Sequence, residues 1–179
     1  MPEFLDPNKI LDQVFLQSNF VTADFGCGAG GWTIPLAQRL KEGKVYAIDL
    51  KEEAISALKS RTSLTRVNNI VPILANVEEK ISELKDSYCD FILLTNILFQ
   101  AENPKNIFKE ISRILKTDGK VLVVEWSPDS PFGPQDNLIS IDDIKKLASE
   151  INFQLEKEIN TGTYHYGLLL KKENLEKDT

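Results

Sequence analysis

A short apolar run at residues 20–25 passes without a break into a glycine-dense turn, Gly26-Cys27-Gly28-Ala29-Gly30-Gly31, and an amphipathic segment begins directly after it at Trp32. A chain that makes this transition is committed to a strand, a tight turn and a helix in succession, the opening unit of a doubly wound α/β sheet. Glycine at alternate positions lets the backbone adopt positive φ and approach a ligand closely, so Gly26, Gly28 and Gly30 describe a loop wrapped around a small molecule. Asp24 stands two positions before the first of these glycines. In a pyrophosphate-binding turn the bare amides and the helix N-terminus receive an anion, and a carboxylate here would repel it. The ligand expected at this turn carries a positive charge.

The order Asp24-x-Gly26-x-Gly28-x-Gly30 resembles the first motif of the class I S-adenosylmethionine-dependent methyltransferases. S-adenosyl-L-methionine meets both demands of the turn, with a nucleoside at one end and an ammonium and a sulfonium at the other. Gly26-x-Gly28-x-x-Gly31 also satisfies the dinucleotide fingerprint, which keeps an NAD(P)-dependent oxidoreductase open as an alternative. Asp24 counts against it. A cofactor-binding module without catalysis is a third reading; its mark would be a degraded glycine turn, and this turn is intact.

Apolar and amphipathic segments alternate along the rest of the chain. After an opening helix over residues 7–15, capped by Asp6, strands are expected at 20–25, 45–48, 70–74, 90–95 and 121–126, with helices at 32–40, 52–60 and 104–115 among them. Residues 90–95 are almost wholly apolar, as a strand buried on both faces requires. Thr117-Asp118-Gly119 reads as the turn that closes the helix before it. Residues 127–134 hold three prolines and a glycine and must be irregular, and Ser140 then caps a helix reaching residue 151. The last two strands, 153–159 and 164–170, are joined by Asn160-Thr161-Gly162-Thr163, a link too short for a crossover helix, so they must be antiparallel. The expected fold is α/β: a Rossmann-like, doubly wound, seven-stranded sheet, mostly parallel with an antiparallel C-terminal strand pair. The resemblance places the last strand beside the fifth. Residues 1–171 should form a single domain, and 172–179 a charged tail.

In open parallel sheets, ligands collect beyond the carboxyl ends of the strands where strand order reverses. There Gly26, Cys27, Gly28 and Gly30 should line the methionine end, and Asp24 should face the cofactor ammonium directly or through water. Asp49, with Leu50 beside it, ends the second strand about twenty residues beyond the glycines, where a carboxylate can accept both ribose hydroxyls. It is also placed to cap the helix that follows Lys51. The resemblance implies that Asn76, after the third strand, accepts from the adenine amino group through an uncharged oxygen, with Val77 in apolar contact with the ring. Thr95 ends the fourth strand, where the resemblance puts a backbone carbonyl on the ammonium, and Asn96 next to it either faces the acceptor or caps a helix. On the acceptor side, Tyr164, His165 and Tyr166 open the last strand at the same edge. His165, the only histidine of the chain, and Glu125 are the candidate proton acceptors. Phe99, Trp126 and Phe132 either wall the pocket or pack as core and lid.

Charge narrows the partner. Lys and Arg total 21 against 27 Asp and Glu, a net charge of −6, and no basic cluster appears, so a nucleic-acid partner is not expected. Cys27 and Cys89 are the only cysteines, without disulfide or metal spacing, and read as small buried hydrophobes; no metal is expected. No stretch approaches the ~20 consecutive apolar residues of a membrane span. Met1-Pro2-Glu3-Phe4 lacks a basic region followed by an apolar one, which leads to the expectation of a cytoplasmic protein. The expected reaction is direct displacement of a methyl group onto an unidentified acceptor, a small molecule in preference to a protein. Oligomeric state is left open.

Overall fold

The computed structural model describes residues 5–174; the first four residues and the expected tail from 175 onward lie outside them. Seven strands, β1 (Val21–Phe25), β2 (Lys44–Asp49), β3 (Ile70–Leu74), β4 (Cys89–Thr95), β5 (Leu115–Trp126), β6 (Phe153–Ile159) and β7 (His165–Lys172), form one sheet in the order β3-β2-β1-β4-β5-β7-β6. β1 to β5 pair in parallel, and β7 runs antiparallel to both β5 and β6. Five helices pack on it: α1 (Pro7–Leu11), α2 (Thr33–Arg39), α3 (Glu52–Leu64), α4 (Pro104–Ile114) and α5 (Ile141–Ser149). The expected fold class and the place of the last strand are therefore those observed.

Both faces of the sheet are buried because successive side chains leave a strand in opposite directions and both directions here are apolar. Val121 and Val123 of β5 pack with Ile107, Phe108 and Ile111 of α4 and with Ile144 and Ala148 of α5. Leu122 and Val124 point the other way, into a cluster with Ile10 and Leu11 of α1 and Leu36 of α2. On that same side α3 sets Ile55 and Leu58 against Ala47 and Ile34. Strand order reverses between β1 and β4, and the crevice beyond Phe25 and Thr95 opens there.

Several elements depart from the expected boundaries, and α3 runs on to Leu64 past residue 60. α1 stops at Leu11 instead of running to residue 15: Gln13 N–H donates to the Ile10 carbonyl and Val14 N–H to the Leu11 carbonyl, both at 3.1 Å, so the chain tightens into three-residue turns. These turns bury Val14 and leave Phe15 69% exposed, so the apolar spacing 10, 11, 14 is met without a longer helix. β5 begins at Leu115, well before residue 121. Cys89 lies opposite Leu115 but Phe91 opposite Lys120, and the excursion between holds Asp118 at φ 62. The turn at 117–119 thus exists, but as an irregularity within a strand. β7 extends to Lys172, taking in the first residue of the expected tail.

The sheet has two unlike rims. β3 forms one and carries Pro72; β6 forms the other, where residues 154–158 are exposed and the pairing shifts between Leu155 and Lys157. No helix among the described residues is long and apolar enough to cross a membrane.

Gly43, between α2 and β2, donates its N–H to the Leu40 carbonyl at 2.9 Å, and a Cβ there would run into the carbonyl oxygen of Phe20. Because the obstacle is backbone, relief requires moving the start of β1 or β2. Gly43→Ala should destabilise the fold by about 1–3 kcal/mol, read as a lower urea midpoint with an unchanged m-value.

Candidate active site

Beyond the ends of β1 to β4 lies a cleft of about 420 Å³, within the range of small-molecule sites. Gly26 and Gly28 line it from the glycine turn, Asp49 and Leu50 from the end of β2, and Asn76 and Val77 from the end of β3. The expected residues of three separate segments thus meet in one place. Asn96 and Ile97 close it after β4, with Ala54 of α3 and Ile107 of α4.

The glycine turn takes its shape from the end of β2. Gly26 and Cys27 both donate their N–H groups to the Ile48 carbonyl, at 2.8 and 2.9 Å, which folds the turn over that strand. Gly26 has φ 76 and Gly28 φ 51, both in the left-handed region. A Cβ at Gly26 would strike the Ile97 side chain, whereas a Cβ at Gly28 meets nothing within 4 Å. Gly28 is where the turn leaves open room for a ligand to lie against bare backbone. Its N–H donates to Asp49 Oδ2 at 2.9 Å, and Lys51 N–H donates to Asp49 Oδ1 at 3.0 Å. Asp49 thus turns the chain toward α3 without capping it: Lys51 stands at the helix N-terminus and makes no side-chain cap bond. With one donor on each oxygen, the carboxylate keeps lone pairs for ligand hydroxyls.

At the far end of the cleft Asn76 Oδ1 accepts from Glu78 N–H at 3.0 Å, and Asn76 Nδ2 donates to Glu79 Oε1 at 3.3 Å. The asparagine shapes a turn and retains one lone pair on its oxygen. Asn96 caps no helix with its side chain: the short 3-10 helix Leu98–Gln100 has Ile97 at its N-terminus, and Asn96 Oδ1 is buried without a partner among the described residues.

Asp24, Cys27, Gly30 and Thr95 do not line the cleft. Asp24 is fully buried; its Oδ2 accepts from the Thr33 hydroxyl at 2.6 Å and its Oδ1 has no partner among the described residues. Burial pushes its pKa up to about 7, the Thr33 bond opposing and the Asp49 charge adding to the rise. Burial, with Asp24 and Asp49 nearby, also drives the Cys27 thiol far above its ordinary range, so it is no nucleophile at neutral pH. Gly30 packs so closely on Leu58 that a side chain would collide with it, and Thr95 is buried at the end of β4.

The candidate proton acceptors stand apart from the cleft lining. Glu125 is buried and accepts at Oε1 from Ile97 N–H at 2.8 Å and Leu98 N–H at 2.7 Å; burial raises its pKa to about 7 against the pull of these bonds. His165 lies opposite Trp126 across β5 and β7, and the two rings stack with centroids 4.0 Å apart. Its Nε2 is buried without a partner among the described residues, and burial holds its pKa below the usual value. Phe132 meets Tyr164 edge to face at 5.0 Å, and Tyr166 donates its hydroxyl to the Ile139 carbonyl at 2.6 Å. Phe99 sits in the 3-10 helix and does not reach the cleft.

Lys51, Glu78, Gln100 and Ala101 line the cleft without having been singled out by sequence. For Glu78 a signal existed, an acid directly beyond the end of β3. Gln100 and Ala101 belong to an irregular segment that no periodicity marks.

Asp24 has a folded pKa of about 7 against an unfolded value near 3.8, so the folded chain binds the extra proton between these limits. Its contribution to stability is complete below the unfolded value and declines as pH rises toward 7. Asp24→Asn should flatten part of the fall in stability of the ligand-free protein between pH 4 and 7, measured by urea unfolding, with the remainder belonging to Glu125. An unchanged slope would remove the buried, unpaired carboxylate from the account.

A family model described as a methyltransferase domain matches residues 23–123, from β1 into β5. A demethylmenaquinone methyltransferase of Bacillus mycoides is 30% identical over 111 residues, 62% of this chain and 46% of that protein. The chain spans about half the length of the curated relatives it matches. Among solved structures, a SAM-dependent methyltransferase from Aquifex aeolicus superposes with a TM-score of 0.86 at 23% identity, covering 94% of this chain and 90% of the other. A protein from Sulfolobus solfataricus assigned to the type 11 methyltransferases superposes at 0.76 with 27% identity, covering 99% and 98%. The family match extends over more than half of the chain and takes in the glycine turn, Asp49 and Asn76, and on that ground the chain belongs to the methyltransferase-domain family.

Proposed function

We propose that this chain moves the methyl group of S-adenosylmethionine by direct displacement onto a small-molecule acceptor at the edge of the sheet where β4 and β5 end and β7 begins. The observation that carries the cofactor half is the meeting of Gly28, Asp49 and Asn76 on one cleft, with open room at Gly28. In this reading Asp49 accepts from the ribose hydroxyls, the remaining lone pair of Asn76 Oδ1 takes the adenine amino group, and Leu50 and Val77 offer apolar contact. Asp24, Cys27, Gly30 and Thr95 support the methionine end from behind the turn, where the unpaired Asp24 Oδ1 favours a cation. When bound, S-adenosylmethionine supplies a methyl group whose leaving sulfur is already activated. The chain is left with alignment and water exclusion, which in favourable systems are worth on the order of 7 kcal/mol or more.

The acceptor half rests on the aromatic edge. Trp126, His165, Phe132 and Tyr164 assemble there in two contacting pairs, a wall suited to a compact ring-bearing molecule. The name of the Bacillus mycoides relative states a quinone-type acceptor for that protein, which supports a small molecule here. For an acceptor that must lose a proton, the candidate at this edge is His165 Nε2, buried without a partner among the described residues, with its pKa lowered by burial. Glu125 already receives two backbone donors and suits holding better than proton transfer.

Incubation with labelled S-adenosylmethionine and fractionated cell extract should put label in a low-mass fraction; label in protein bands would replace the small molecule with a protein side chain. Calorimetric titration should show binding of S-adenosylmethionine and none of NAD, and the reverse would overturn the cofactor. Asp49→Ala should raise the dissociation constant about tenfold or more, the worth of a hydrogen bond to a charged group. With the acceptor in hand, His165→Ala should lower kcat about a hundredfold if a proton leaves in the rate-limiting step, and an unchanged kcat would leave the ring to its stacking role.

A further inference from the structure

One wall of the cleft is built from backbone that belongs to no regular element. The chain leaves β4 at Asn96 in a left-handed conformation, φ 53, makes one turn of 3-10 helix at Leu98–Gln100, and reaches α4 at Pro104. Asn96, Ile97, Gln100 and Ala101 of this segment face the cleft, and Ile97 lies directly over Gly26. Irregular backbone leaves amides without ladder or helix partners, and such amides must be satisfied from elsewhere.

Here two carboxylates remote in sequence satisfy them. At the start of the segment, Glu125 Oε1 accepts from Ile97 N–H at 2.8 Å and from Leu98 N–H at 2.7 Å. At its end, Glu78 accepts from Glu102 N–H at 3.0 Å and from Asn103 N–H at 2.6 Å, one on each oxygen. Glu125 comes from β5 with 2% exposure, and Glu78 from the turn after β3, on the opposite side of the segment in the strand order. Paired donors on one carboxyl group fix direction as well as distance. The segment between the two anchors is thereby tied to β5 on one side and to the turn after β3 on the other, and it begins next to Asn96, whose Oδ1 is buried with no partner among the described residues.

We infer that Glu125 and Glu78 are positioning residues that clamp residues 96–103 at both ends and so preform the cofactor cleft. The choice of ligand rests on the cofactor reading above; the clamp itself is a property of the chain. Its effect is indirect, through Asn96 and Ile97, and gives Glu125 a task other than proton transfer.

The test combines amide hydrogen exchange by NMR on the full chain with calorimetric titration of S-adenosylhomocysteine. Glu125→Ala should speed exchange at Ile97 and Leu98 and weaken binding, each by about tenfold, while the amides of central β4 keep their protection. Glu125→Gln, which keeps an acceptor oxygen, should restore both to within about threefold of wild type. Glu78→Ala should speed exchange at Glu102 and Asn103 by about tenfold; because Glu78 also lines the cleft, this exchange and not the affinity decides the matter if Glu125→Ala does not fold. Wild-type affinity in Glu125→Ala, wild-type exchange in Glu78→Ala, or a glutamine variant as weak as alanine, would overturn the clamp. A wild-type chain that does not bind S-adenosylhomocysteine would instead sink the cofactor reading, and the exchange rates alone would then judge the clamp.

Discussion

The two hydrogen bonds of Asp49 hold the functional end of this molecule in shape. One oxygen receives the N–H of Gly28, the other that of Lys51, so a single carboxylate joins the glycine turn after β1 to the start of α3. Alongside it the Ile48 carbonyl receives Gly26 and Cys27, and these bonds force the chain into the left-handed conformations that only glycine accepts at low cost. Everything the cleft offers follows from that junction: bare backbone at Gly28, the contact of Gly26 with Ile97, and a carboxylate with lone pairs to spare. The sheet supplies rigidity beneath it, since its central strands are packed on both faces.

Buried acids recur around this junction, and their surroundings separate their tasks. Glu110 accepts from Ile81 N–H at 2.8 Å and pairs with Arg113, pinning the turns that follow β3; Glu125 accepts from two amides and pins the turn that follows β4. Both meet enough donors to make burial tolerable. Asp24 differs. One of its oxygens is bonded to Thr33 and the other has no partner among the described residues, so a single bond offsets its burial.

Sequence disclosed those parts of the molecule that repeat or that depend on local geometry. The apolar runs of β4 and β5 and the short link before β7 were enough for the sheet and its closing reversal, because a strand buried on both faces and a link too short for a crossover helix each leave a local mark. The glycine turn, Asp49 and Asn76 were legible because each stands at the end of a strand. The length of α1 was not, since residues 10, 11 and 14 satisfy a helix face and a tight turn equally. Nor was the excursion in β5, because Thr117-Asp118-Gly119 marks a turn without saying whether it separates two elements or interrupts one. Glu125 was visible only as an acid at a strand end; its partners lie 27 and 28 residues away, and a side chain that bonds remote backbone leaves no spacing to read.

Pro72 lies in the strand at one rim of the sheet, and at the other rim β6 presents Glu156, Lys157 and Glu158 around a shifted pairing. A missing amide donor on one side, and charge with a kink on the other, make both borders poor templates for a strand from another polypeptide. Growth by edge-to-edge sheet extension is therefore discouraged at either border. The hydrogen-bonding capacity of the sheet is thus kept within this one chain.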